Sequence, residues 1–181
     1  MSKVIVLLAP GFEEIEAVTI IDLLRRGGVE VTAAGLEQPA VKGSHNISII
    51  PDVFYRDVNP DDFDMLVLPG GQPGTNNLKN DDFVLQLVND FFNSRKKLAA
   101  VCAAPVVFQA AGIAENIKIT SYPSEKDVFK DSKYLEENVV EDGQIITSRS
   151  AGTAIEFSLK LLEKLEGLEA AEDVRKKILF E

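Results

Sequence analysis

The sequence predicts an α/β fold with a mostly parallel central sheet. Short apolar runs rich in β-branched residues alternate with segments of helical period, which is the pattern of consecutive βαβ units. Several of these runs end abruptly at proline, glycine or other small residues, as buried strands do at a sheet edge. The chain has 181 residues, of which 45% are hydrophobic and 27% are charged. We therefore expect a single domain over residues 1–181 with room for a three-layer core.

Each predicted element follows from its local pattern. Buried strands, recognised by β-branched and apolar content, are predicted at residues 4–8, 29–34, 64–68 and 98–101. Helices, recognised by their apolar period, are predicted at residues 14–26, 81–94, 103–111, 153–165 and 169–179. Residues 41–50 alternate weakly and predict a hairpin or an edge excursion, and Glu141-Asp142-Gly143 predicts a second hairpin turn.

The sequence predicts two further features of the helices, a buried face and a capping box. The first helix is expected to bury one broad apolar face, formed by Ile15, Val18, Ile21 and Leu24. Thr153 with Glu156 has the spacing of a capping box, which predicts the start of the helix over residues 153–165.

Composition excludes several classes of function. The formal net charge is −10, and no run of Lys and Arg exceeds three residues, so a nucleic-acid partner is not expected. No apolar stretch reaches the roughly 18 residues of a membrane span. One cysteine excludes an intrachain disulfide and fits a reducing compartment, so we expect a cytoplasmic protein.

No cofactor or metal is expected from motifs. Neither a G-x-G-x-x-G nor a P-loop sequence occurs, so nucleotide binding has no support. His45 is the only histidine, and it lies in the weakly alternating segment, where we interpret it as a surface or edge residue. A Cys-His dyad and a multi-histidine metal site are both hard to build from this sequence.

Three segments follow predicted strands and could form one site. They are residues 10–16, residues 69–77 and residues 102–105. Ligands of open α/β sheets bind beyond the carboxyl ends of the strands. If the three strands are neighbours in the sheet, these loops converge.

Cys102 lies where a strand must turn sharply into a helix. Ala100, Ala103 and Ala104 are small enough to allow such a turn, and Pro105 fits the first helical turn. The arrangement is similar to a nucleophile elbow. Free N–H groups at a helix start favour a thiolate, which predicts a lowered thiol pKa. The alternative is that Cys102 is a small apolar filler of the core.

The glycine pair and the acidic residues each allow two interpretations. Gly70 and Gly71 form either a close-approach turn whose N–H groups face an oxyanion, or an ordinary turn. Glu13, Glu14 and Glu16 either complement the helix dipole at the surface, or one of them is buried beside the thiol as a protonated acid.

Four ordered blocks with characteristic spacing carry a resemblance that covers nearly the whole chain. They are LLAPGFEEIEAVTIIDLLRRGGVEV, DMLVLPGGQPGTNNL, LAAVCAAPVVF and TSRSAGTAIEFSLKLLE. The chain resembles the ThiJ/PfpI superfamily, and within it the branch of the parkinsonism-associated protein DJ-one and its bacterial relatives. The resemblance implies a flavodoxin-like three-layer sandwich with a mostly parallel sheet, related to class I glutamine amidotransferases, and a homodimer whose interface lies close to the active site.

The resemblance also implies roles for individual residues. Cys102 corresponds to the oxidisable nucleophile, and Glu16 to the carboxyl group that hydrogen-bonds it. Gly71 and Ala103 correspond to the residues whose backbone N–H groups form the oxyanion pocket. Other residues expected around the pocket are Gly70, Tyr122 and Arg149.

Three departures from the family pattern bear on the chemistry. Tyr122 precedes Pro123 where many members have a histidine, so a proton relay from that position is in doubt. Ala103 follows the cysteine where the protease-like branch has histidine, which counts against a peptidase. Residues 148–153 read SRSAGT, and this loop lacks the proline that stiffens it in the family.

Two functions follow as hypotheses. The first is an enzyme that acts on small α-oxoaldehydes or their adducts, as a glutathione-independent glyoxalase or a deglycase, through Cys102 and Glu16. The second is a redox-sensing, chaperone-like stress protein in which Cys102 is oxidised to sulfinic acid without significant turnover. An inert thiol on an otherwise related fold is the remaining alternative.

Overall fold

The computed structural model describes residues 1–181. The strands are β1 (Lys3–Leu8), β2 (Glu30–Gly35), β3 (Val41–Lys42), β4 (Ser48–Ile49), β5 (Val53–Phe54), β6 (Met65–Leu68), β7 (Lys97–Val101), β8 (Lys118–Ile119), β9 (Lys133–Tyr134), β10 (Val139–Asp142) and β11 (Ile145–Ser148). The helices are α1 (Glu14–Arg26), α2 (Gly74–Lys79), α3 (Asp82–Asn93), α4 (Pro105–Ala110), α5 (Ala154–Glu166) and α6 (Leu168–Lys177).

Seven of the strands form the central sheet, in the order β10-β11-β7-β6-β1-β2-β5. Every neighbouring pair is parallel except β10 and β11, which form an antiparallel hairpin around Gly143. β1, β6 and β7 are direct neighbours, so their carboxyl ends meet at one edge. The predicted mostly parallel sheet is confirmed, and the structure meets the condition on which a common site depends, that these three strands are neighbours.

Alternating side chains of the sheet supply two separate cores. On β1, Val4, Val6 and Leu8 belong to the core beneath α1, α5 and α6. Ile5 and Leu7 point the other way, into the core beneath α2, α3 and α4. Each fully buried side chain of this size contributes about 1.5–3 kcal/mol. The expected flavodoxin-like three-layer sandwich is confirmed.

The buried face of α1 differs from the expected one. Ile15 and Val18 are exposed by 58% and 49%, respectively. The inner face instead carries Ala17, Ile20, Leu23 and Leu24 together with two carboxylates, Glu14 and Glu16. The apolar period did not predict this orientation, because the two acidic side chains accept hydrogen bonds from donors inside the protein.

The two predicted hairpins are confirmed, but the predicted capping box is wrong. β3 and β4 pair antiparallel, as do β10 and β11. The Thr153 hydroxyl accepts from the backbone N–H of Ser150 at 3.1 Å and lies 2.7 Å from the Ser148 hydroxyl. Glu156 accepts instead from the side-chain amide of Asn138. These hydroxyl contacts tie the SRSAGT loop to β11 although its proline is missing.

None of the helices is both long enough and apolar enough to cross a membrane.

Candidate active site

The loops after β1 and β6 interlock at the carboxyl edge of the sheet. The N–H of Glu13 donates to the carbonyl oxygen of Gly70 at 2.9 Å, and the N–H of Gly74 donates to that of Gly11 at 3.2 Å. Gly11 has φ +85°, and a Cβ there would lie 2.7 Å from the backbone nitrogen of Pro73. The two loops approach so closely that glycine is required at the crossing.

Cys102 follows β7 in a backbone conformation that few non-glycine residues adopt. Its φ is +62°, and its side chain is only partly exposed. The N–H of Cys102 donates to the carbonyl oxygen of Ser148 at 3.0 Å, and the carbonyl oxygen of Cys102 accepts from Tyr122 at 2.7 Å. Hydrogen bonds on both sides therefore hold the thiol at a strained turn, a feature that is common at functional sites.

Gly70 lies directly between the thiol and a carboxyl group. A Cβ at this position would lie 2.7 Å from Cβ of Cys102 and 2.9 Å from Oε2 of Glu16. Gly71 has φ +94°, and a Cβ there would overlap the backbone nitrogen of Glu13. The pair therefore forms a close-approach turn, and the role of its N–H groups toward an oxyanion stays a prediction.

Glu16 is the acidic residue that the fold buries beside the thiol. Its exposure is 0%, and its Oε2 accepts from the N–H of Gly70 at 2.8 Å. Its Oε1 has no nitrogen or oxygen partner. Burial raises the pKa of Glu16 to about 7, against the lowering effects of the Gly70 N–H and the Cys102 thiol. The side chain is therefore poised to exchange a proton near neutral pH.

The carboxyl group of Glu16 affects the pKa of the Cys102 thiol. Burial, followed by the charge of Glu16 and its hydrogen bond, raises the pKa of Cys102 to about 12, while the N–H groups of Ala103 and Gly71 lower it. The direction is opposite to the one expected from a helix start, because α4 begins only at Pro105 and burial outweighs the N–H groups. A thiolate and an ionised Glu16 therefore oppose each other, and above about pH 7 the pair holds one proton, on the thiol.

The remaining expected residues lie around Cys102 with different exposures. Ala103 is buried, at 5% exposure, whereas the Tyr122 side chain is 46% exposed. Arg149 is partly buried, and its Nε has no hydrogen-bond partner. Arg149 directly follows Ser148, which accepts the hydrogen bond from Cys102. The backbones of Tyr122 and Arg149 are thus fixed next to the thiol.

A second buried carboxylate was not expected from the sequence. Glu14 is only 5% exposed, and its Oε1 accepts from the N–H groups of His45 and Ile47 at 2.7 and 3.3 Å. Burial opposes its ionisation, but backbone N–H groups and the His45 ring outweigh burial and lower the pKa of Glu14 to about 2. No local signal could have revealed this, because His45 is 31 positions away along the chain.

Similarity to known proteins identifies the family of this chain. Residues 2–164 match the model of the DJ-1/PfpI family. The chain belongs to the DJ-1/PfpI family. The resemblance carried by the four sequence blocks is therefore confirmed.

Individual relatives of this family span nearly the whole chain. Protein dj-1beta of Drosophila melanogaster is 43% identical over 183 residues, covering 99% of this chain and 98% of that protein. Its crystal structure superposes with a TM-score of 0.96. The glutathione-independent glyoxalase DJR-1.2 of Caenorhabditis elegans is 37% identical, covering 97% of this chain and 94% of that protein. The structure of oxidized DJ-1 from Toxoplasma gondii has 34% identity, coverage of 99% of both chains and a TM-score of 0.95.

Proposed function

We propose that this DJ-1/PfpI protein converts small α-oxoaldehydes such as methylglyoxal, or their adducts, without glutathione. The observation that carries the proposal is the partly exposed Cys102 thiol beside a fully buried carboxyl group, Glu16, with a pKa of about 7. Such a pair offers a nucleophile and a proton carrier within one site. A family relative from Caenorhabditis elegans bears the name of a glutathione-independent glyoxalase, which supports the same chemistry.

The first step would be addition of the sulfur of Cys102 to the aldehyde carbon. The new C–S bond gives a hemithioacetal, and the single proton of the Cys102–Glu16 pair passes to the former aldehyde oxygen, which leaves Glu16 ionised. The developing oxyanion would accept hydrogen bonds from the N–H groups of Gly71 and Ala103. Both N–H groups already lower the pKa of Cys102, so they act on negative charge at this position.

The second step would move a proton between the two substrate carbons. The ionised Glu16 would remove the proton from the former aldehyde carbon and return it to the neighbouring carbon, while the hydroxyl proton of the hemithioacetal passes to the ketone oxygen. The first carbon thereby becomes a thioester and the ketone becomes an alcohol. Water then cleaves the thioester, releases a 2-hydroxy acid and restores the thiol. Because the site offers no histidine, Glu16 does all of the acid–base work, and we expect slow turnover.

Methylglyoxal consumption and lactate formation by wild type and Cys102→Ser test this proposal. We expect the variant to lose at least about 99% of turnover, because the hydroxyl is a far weaker nucleophile than the thiol. Glu169→Gln, which changes an exposed glutamate of α6, serves as the matched control and should retain full turnover. Equal rates for wild type and Cys102→Ser would refute the assignment of the nucleophile.

Redox sensing at the same thiol is the second candidate function. A partly exposed cysteine with no second cysteine to trap a sulfenic acid can proceed to sulfinic acid. One relative's solved structure is described as oxidized, which supports the proposal. A lone thiol also fits the proposed cytoplasmic location.

Mass spectrometry after mild peroxide treatment distinguishes the two functions. A stable adduct of two oxygens on Cys102, in a protein without aldehyde turnover, would favour the sensor. Turnover that persists in a protein whose Cys102 stays reduced would favour the enzyme.

The exposed apolar side chains of α1 support a homodimer. Ile15 and Val18 are exposed on α1, and Ile50, which follows β4, is 79% exposed. A groove of about 670 Å³ lies beside Val18, between α1 and the C-terminal residues 178–180. Ile15 lies between Glu14 and Glu16 in the sequence, so a partner on this face would lie near the thiol.

Sedimentation of wild type and Val18→Asp tests the dimer. We expect wild type to be dimeric and the variant to dissociate at a concentration at least about tenfold higher than wild type, because a charge would be buried in an apolar interface. A monomeric wild type at high protein concentration would refute the dimer.

A further inference from the structure

A second cluster of metal-ligating side chains, which does not include Cys102 or Glu16, lies where the β3–β4 hairpin meets the start of α1. It contains Glu13 and Glu14 from α1 and its N-cap, and Ser44 and His45 from the hairpin loop. The single ligand atoms of Glu13, Glu14 and His45 lie within 4.8 Å of one another. The cluster joins segments about 30 residues apart, which is why no sequence motif indicated it.

The separations between donor atoms lie within a few tenths of an ångström of those in a tetrahedral metal site, most of them slightly shorter. His45 Nδ1 is 3.4 Å from Glu13 Oε2 and 3.0 Å from Glu14 Oε2. Ser44 Oγ lies 3.2, 3.1 and 3.1 Å from those two oxygens and from Nδ1, respectively. Zinc bonds to nitrogen and oxygen of about 2.0–2.2 Å place neighbouring tetrahedral ligands about 3.3–3.5 Å apart.

The surrounding backbone holds Glu14 with one oxygen turned toward this cluster. Its Oε1 accepts from the backbone N–H groups of His45 and Ile47, which leaves Oε2 as the atom that faces Ser44 and His45. A Cβ at Gly43 would overlap the Glu14 carboxylate, so the chain keeps this space open. Contacts of this kind orient the ligands of metal sites before the metal binds.

The donor set also selects the class of metal. One imidazole nitrogen with two carboxylate oxygens suits zinc and similar transition ions, whereas magnesium and calcium prefer oxygen ligands alone. The His45 side chain is 69% exposed, which gives an ion access from solvent. The side chain of Glu14 is 6% exposed, so the inner part of the cluster is shielded.

We propose that Glu13, Glu14 and His45 bind one divalent transition cation of the zinc class, with the Ser44 hydroxyl or a water in the fourth position. Binding replaces a proton at Nδ1 of His45 or one shared with the carboxylates, and that proton is released to solvent. The cation would link the β3–β4 hairpin to the N-terminus of α1. Glu13 borders the Gly70-Gly71 turn, so this site adjoins the active site, but the proposal does not rest on the aldehyde chemistry.

Zinc titration in a Cys102→Ala background tests the proposal without competition from the thiol. Calorimetry should detect one zinc ion per chain, and the imidazole NMR signals of His45 should shift in step. These signals are unambiguous because the chain has a single histidine. Magnesium at the same concentration should produce neither effect.

Two substitutions of ligands and one control complete the experiment. His45→Ala and Glu13→Gln should each weaken zinc binding at least about tenfold, whereas Glu169→Gln should leave it unchanged. Circular dichroism would check that each variant is folded. Unchanged zinc binding in folded His45→Ala, or no zinc binding in the Cys102→Ala background, would overturn the proposal. Neither result would bear on aldehyde turnover by wild type.

Discussion

Glu14 and Glu16 lie two positions apart on the first turn of α1, and both side chains are buried, yet their pKa values move in opposite directions. The pKa of Glu14 is lowered to about 2, and that of Glu16 is raised to about 7. Burial raises the pKa of both groups. The difference therefore lies in what donates hydrogen bonds to each carboxyl group.

The number of donors explains the contrast. Glu14 accepts from backbone N–H groups of His45 and Ile47 and from side chains of the same loop. Glu16 accepts from one backbone N–H, that of Gly70, and its other oxygen faces no nitrogen or oxygen. A buried carboxylate with many donors anchors a loop, whereas one with few donors keeps its proton and can exchange it.

Glu16→Gln is the substitution with the largest expected effect. The amide can still accept from Gly70 but cannot carry a proton, so aldehyde turnover should fall at least about 100-fold. Glu30→Gln, on the exposed side of β2, is the control and should retain turnover. Turnover that survives Glu16→Gln would show that another group moves the proton.

Glu14→Gln should have the opposite effect. The protein should lose stability but keep its aldehyde turnover. Removing a charge that several N–H groups stabilise should lower the free energy of unfolding at pH 7 by about 2–3 kcal/mol. Because the folded pKa is depressed, the contribution of Glu14 is fully present above about pH 4.5 and is lost as the pH falls toward 2. Urea denaturation at pH 7 and pH 3 measures this. An equal deficit at both pH values would contradict the account.

The raised pKa of Glu16 predicts the opposite pH dependence. The folded state holds this proton more tightly than the unfolded state, so stability falls as the pH rises from about 4.5 through 7. Glu16→Gln removes that penalty and should be more stable than wild type at pH 8, by on the order of 1–3 kcal/mol. The difference should shrink at pH 5. A constant difference between the two proteins would show that Glu16 does not titrate in this range.

Ser44→Ala should give the smallest effect of the series. It removes one hydroxyl that lies 3.1 Å from Glu14, while the backbone donors remain. We expect a loss of about 0.5–1.5 kcal/mol in the free energy of unfolding. Aldehyde turnover should not change. A loss as large as that of Glu14→Gln would mean that the hydroxyl, and not the backbone, holds Glu14.

Sequence patterns predicted the strands and the position of Cys102 because both depend on local composition. The adjacency of β1, β6 and β7 did not follow from the sequence, because strand order depends on contacts between segments that local composition does not contain. The inner face of α1 was not predictable in this way. Ile15 and Val18 are apolar but exposed, whereas two glutamates face inward toward donors supplied by other segments.

The electrostatics of the site depended on contacts that no local pattern contains. A helix start predicted a lowered thiol pKa, but α4 begins three residues after Cys102, and the Glu16 carboxyl group is its immediate neighbour. The donors of Glu14 come from His45 and Ile47, which are distant in sequence. Both sets of contacts form only in the folded protein and could not be predicted from residue spacing.

The central claim is that, once Glu16 is ionised above about pH 7, Cys102 and Glu16 hold one proton between them and it stays on the thiol. Its direct test is a titration that follows the ultraviolet absorbance of the thiolate together with the carbon NMR signal of the Glu16 carboxyl group. The thiolate signal is unambiguous because the chain has one cysteine. We expect Glu16 to release its proton at about pH 7 while Cys102 remains a thiol, so that no thiolate accumulates beside an ionised Glu16 in the neutral range. A thiolate that coexists with a fully ionised Glu16 near pH 7 would contradict the account.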